Sequence, residues 1–107
     1  MTNLVGFQAS LAAANPPDTL PLALQALWWA GKPAWHRAHD CAQADEGNPA
    51  CDWVHAHLHR VEGDMENAVY WYDRAGRPVS TELLNAEWQA IVSTLLAGLG
   101  RAKRSIA

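Results

Sequence analysis

Asp52, His55, His59 and Glu62 stand at spacings of three, four and three residues. On a helix this pattern puts all four side chains on one face. Two histidines one turn apart can both reach one divalent cation. Carboxylates a further turn away can complete its coordination or orient the imidazoles. This is the raw material of a zinc or iron site. The zinc-metalloprotease pattern is absent, because no glutamate directly follows the first histidine. The competing reading is a solvated polar face on which Asp52 complements the positive start of the helix, and the sequence alone favours it. Beyond a zinc or iron ion held here, no cofactor is expected.

Other residues with chemistry to offer carry less. His36 and Asp40, also four apart, read as a surface pair. His39 and His57 border apolar stripes and read as partly buried, hydrogen-bonded imidazoles rather than ligands. Trp28, Trp53, Tyr70 and Trp71 are the candidates for a ligand or partner groove, set against the commoner use of such rings as core. Tyr70 falls on a polar side with Glu66 and Asp73, as an exposed aromatic contact. Cys41 and Cys51 sit near the facing ends of consecutive helices and read as two small thiols in preference to a bridge. There is no Gly-rich phosphate loop, nucleophile elbow or Cys-pair zinc pattern. No catalytic residue is assigned and an enzyme is not expected.

The elements that must position these residues are helices. Asn48 and Pro49 form a helix start, since asparagine caps a free N–H and proline at the first position loses nothing. That helix runs to Glu62, with Val54, Leu58 and Val61 on its apolar stripe. Gly63 ends it, and Asp64 caps a second helix over Met65 to Ala75, whose buried face holds Met65, Ala68, Trp71, Tyr72 and Ala75. Gly76 and Pro78 stop that one. Upstream, Asp18 or Thr19 caps a helix to Ala30, and Pro33 opens another to Ala44. Downstream, Ser80 or Thr81 caps a last helix carrying Leu84, Trp88, Ile91, Leu95 and Leu99.

The hairpin over 48–76 resembles a tetratricopeptide-type repeat, and EGDMENAVYWYDRAG also resembles the second half of a Sel1-like repeat. Ala56, Gly63, Ala68, Tyr72 and Ala75 are the matching positions. Shifted by thirty residues, Leu24 falls on Val54, Ala26 on Ala56, Trp28 on Leu58, Trp35 on Met65 and Ala38 on Ala68. Such internal repetition means stacked helical units. The first copy has Pro33 and Ala42 where the second has Gly63 and Tyr72, and the period is shorter than the usual ~34 residues. The resemblance implies an all-α fold: antiparallel hairpins stacked as a short, right-handed tetratricopeptide-like superhelix closed by a C-terminal capping helix. It also implies a module that holds a protein or peptide partner.

With 107 residues the chain reads as one domain. It divides into an arm or short helix over 1–17, hairpins over 18–45 and 48–76, a capping helix over 80–99 and a flexible tail over 100–107. Half of it is apolar and six residues are tryptophan, enough for a small core. The net charge of −3 offers no basic field for nucleic acid. No apolar run approaches the ~20 residues that span a membrane. No positive charge precedes the first apolar run as in a signal peptide, so a cytoplasmic location is expected. Self-association as a homodimer, through the last helix or the tryptophans, is the third functional reading.

Overall fold

The structure is a computed structural model that describes residues 3–106, with side chains through residue 100. The described residues form helices and no strands: α1 (Leu4–Ser10), α2 (Leu22–Gly31), α3 (Trp35–Gln43), α4 (Pro49–Glu62), α5 (Met65–Ala75) and α6 (Leu84–Ile106). The all-α expectation therefore holds. None of these helices is long and apolar enough to cross a membrane.

The central hairpin forms as its end signals dictate. Asn48 Oδ1 accepts from the N–H groups of Ala50 and Cys51, with Pro49 at the first position of α4. Gly63 takes φ 85°, where a side chain would be strained, and so closes α4. Asp64 then caps α5 by accepting from Asn67 N–H.

Other boundaries differ from the sequence expectation. Asp18 and Thr19 lie in a turn, and α2 begins after Pro21 without a side-chain cap. Pro33 does not open α3. Ala34 N–H donates back to Trp29 O, so Lys32 to Ala34 finish the end of α2, and α3 starts at Trp35. Ser80 Oγ accepts from Glu82 N–H in the connecting loop, and α6 starts later, at Leu84. The last helix also runs through the stretch assigned to a flexible tail, as far as Ile106. The sequence Arg101-Ala102-Lys103-Arg104 is made of strong helix formers, and nothing in it breaks the helix. Ala107 lies outside the described residues, as do Met1 and Thr2.

Helix α4 is the axis of the molecule, packed by α2, α3, α5 and α6 together. The main core joins Phe7, Leu24, Leu27, Trp28, Val54, Leu58, Trp88, Ile91 and Val92. A smaller cluster of Ala56, Ala68, Trp71 and Tyr72 binds α4 to α5. Helix α6 lies across α1, α2 and α4 rather than over the outer face of the second hairpin. It thereby covers the two helices that would have lined an open groove. Trp88 Nε1–H fixes the crossing by donating to Leu27 O at 2.8 Å.

A buried polar tie holds the other side of α6. Glu87, 4% exposed, accepts from His57 Nδ1–H at 2.6 Å, from Arg60 at 2.9 Å and from the Tyr72 hydroxyl. Burial alone would raise the Glu87 pKa, but the hydrogen bonds from His57 and Tyr72 outweigh it and hold the carboxyl below its usual range. A buried carboxylate partnered on this scale is the arrangement that makes its burial tolerable.

Candidate metal centre

The polar face of α4 is not solvated. Asp52 is 1% exposed, His55 2% and His59 7%, because α3 and α5 close over it. One turn apart on α4, the His55 and His59 rings stack with centroids 4.9 Å apart and planes 24° from parallel. Helix α3 brings a third imidazole, and His39 Nε2 lies 3.0 Å from His55 Nε2. One ligand nitrogen from each of His39, His55 and His59 lies within 4.8 Å of the others.

Indole rings wall the cluster. Trp71 stacks on His55 at 3.8 Å and 13°, and Trp35 stacks on His39 at 4.8 Å and 15°. Trp35 is itself pinned by donating Nε1–H to Leu58 O at 2.7 Å. Two nitrogens bound to one tetrahedral zinc lie roughly 3.3 Å apart, given bonds of about 2.0–2.1 Å. The His39–His55 pair is already near that separation.

The electrostatics suit a cation. Burial, followed by the neighbouring His39 and His59, pushes the His55 pKa down to about 3. Burial and His59 likewise lower that of His39. Both rings are therefore neutral at pH 7, with lone pairs available as ligands. His55 Nδ1 is fully buried and has no hydrogen-bond partner among the described residues. An unpaired buried polar atom costs about 1–3 kcal/mol, and this one belongs to the ring whose Nε2 faces His39. His59 Nδ1 lies 3.0 Å from Glu62 Oε1. A carboxylate only accepts, so Nδ1 carries a proton and His59 Nε2 is the nitrogen left to serve as a ligand.

Of the four residues first paired by spacing, the structure keeps His55 and His59 together and gives Glu62 the orienting role. Asp52 does not join them. It lies in the first turn of α4, where Oδ1 accepts from Gly47 N–H at 3.1 Å and the charge complements the helix start. His39 is the residue that sequence reasoning passed over. The signal was Trp35 and His39, four apart on α3 as His55 and His59 are on α4, but placing them together needs the packing of α3 on α4. His36 and Asp40 are exposed, as a surface pair should be. Asp64, near His59 and Glu62 in space, has its carboxylate engaged by Asn67.

The four candidate groove residues do not share a groove. Trp28 is 0% exposed in the main core, donating Nε1–H to Ser10 Oγ at 3.0 Å. Trp71 is the floor under His55. Trp53 is half-buried beneath the Arg77 guanidinium, and Tyr70 is exposed beside Arg74. The tryptophans were legible as large apolar groups, but the path of α6 over α2 and α4 decided which surface they face. Cys51 is buried and Cys41 half-buried, and both are free thiols.

No family model matches the chain, and no curated protein or solved structure matches it either.

Proposed function

We propose that the chain binds one divalent transition-metal ion through His39, His55 and His59, with Glu62 orienting His59. The observation that carries this reading is the convergence of three buried or half-buried imidazoles from two helices, with the His39 and His55 Nε2 atoms already 3.0 Å apart. Three imidazole nitrogens suit zinc ahead of iron, which more often takes a direct carboxylate. A three-histidine set leaves a fourth position for water, on the side where His39 is only half-buried and Glu62 reaches solvent. A metal there would act as a Lewis acid on that water. The experiment is thermal unfolding with zinc added to metal-free protein. At free zinc one hundred times Kd the stabilisation is about 2.7 kcal/mol, a rise in Tm of roughly ten degrees or more for a domain of this size. His55→Ala/His59→Ala abolishes the shift. An unchanged Tm in the wild type contradicts the reading.

A partner-binding role is a second proposal, in which α2–α3 and α4–α5 stack as a right-handed tetratricopeptide-like superhelix. Its support is the outer side of α5, where Met65, Val69 and Tyr70 are each about half exposed. A peptide, or a second copy of the chain, would lie there rather than over α2 and α4. Light scattering of concentrated protein checks the homodimer: a monomer removes it, and a dimer lost in Val69→Glu/Tyr70→Glu supports it.

A further inference from the structure

His57 is a second buried imidazole, turned away from the metal centre. Its Nδ1–H donates to Glu87, whose other lone pairs accept from Arg60 and Tyr72. The carboxylate thus fixes a proton on Nδ1 and leaves Nε2 as the ring's other polar atom. That atom has no partner among the described residues and, unlike His55 Nδ1, is not shut off from solvent. His57 lines a cavity of about 140 Å³ with Ala30, Pro33, Trp35, Leu58 and Val61. The other lining side chains are apolar apart from Trp35, whose Nε1–H is already engaged by Leu58 O. His57 Nε2 is therefore the one side-chain polar atom in that wall without a partner.

An apolar cavity of ~150 Å³ admits a benzene ring. A single polar atom in such a wall selects a ligand with one hydrogen-bonding group, because an analogue without it leaves that atom unpaired. We propose that this cavity binds a single-ring apolar molecule bearing one hydroxyl, a phenol in chemical class, whose hydroxyl hydrogen-bonds His57 Nε2. A carboxylate fits poorly, since it would lie close to the Glu87 carboxylate. The cavity adjoins an open groove of about 450 Å³, which shares Ala30, His57 and Val61 with it. The proposal stands independently of the metal reading.

The test is calorimetric titration of the full chain with 4-methylphenol and with toluene, paired with ¹⁵N spectra of the histidine rings. The expected result is binding of 4-methylphenol about fivefold or more tighter than toluene. The His57 Nε2 signal should move with the phenol and not with toluene. Val61→Trp fills the cavity from its exposed rim and leaves the Glu87 contacts untouched. It should keep the wild-type circular dichroism and lose the binding. Equal affinity for the two compounds, no phenol binding at millimolar concentration, or wild-type binding by V61W each overturns the proposal.

Discussion

His39 Nε2 and His55 Nε2 face each other across the α3–α4 interface at 3.0 Å. Without a cation, one ring must donate to the other, and either choice leaves His55 Nδ1 buried and unpaired. One proton at most serves the two facing nitrogens, whereas a cation between them would take a lone pair from each, and the cluster's behaviour toward acid, mutation and metal follows.

Acid should weaken the metal-free protein before its carboxylates titrate. In the unfolded chain His55 takes up a proton near pH 6.5, whereas in the fold it stays neutral down to about pH 3. Between those values the unfolded state binds more protons, so stability is complete above pH 6.5 and falls as the pH drops toward 3. One such histidine contributes a slope of about 1.4 kcal/mol per pH unit. Urea unfolding at pH 7 and pH 5 should show a lower midpoint at pH 5, and His55→Gln should flatten the difference. A midpoint equal at the two pH values is the outcome that does not fit.

Asp52→Asn separates the helix-start role of Asp52 from the proposed metal site. Asp52 receives Gly47 N–H inside the fold and stands apart from the three imidazoles. The amide keeps the acceptor and loses the charge at the helix start, so the loss of stability is about 0.3–1 kcal/mol. Zinc affinity should stay within a few-fold of wild type. A loss of zinc binding in this variant would return Asp52 to the ligand set.

Glu87→Ala should be the most damaging single change at the α6 interface. It strips His57, Arg60 and Tyr72 of a shared acceptor in one step. Removing one partner of a buried ion pair costs about 3–5 kcal/mol. Chemical unfolding measures it directly, and a cost under 1 kcal/mol would mean that α6 is held by apolar packing alone.

Much of the fold could be read from local signals. Asn48-Pro49, Gly63, Asp64 and Gly76 act where residue chemistry puts them, because caps and left-handed turns depend on a few adjacent residues. The ends of α2, α3 and α6 were less legible. There a backbone bond such as Ala34 N–H to Trp29 O decides the boundary, and no side chain announces it. His55 and His59 were visible as a pair because one helix sets their spacing. Their burial and the arrival of His39 were not, since both arise from α3 and α5 closing on α4. Trp28 misled for the same reason: a helical period tells which residues share a face, and only packing tells what covers that face.

The most direct measurement is the metal content of untagged protein, by elemental analysis after equilibration with zinc and removal of the excess, run beside His39→Ala. The account predicts one zinc per chain in the wild type, and a large loss in His39→Ala although that residue lies on a different helix from the other two ligands. No bound metal in the wild type, or full retention without His39, would contradict it.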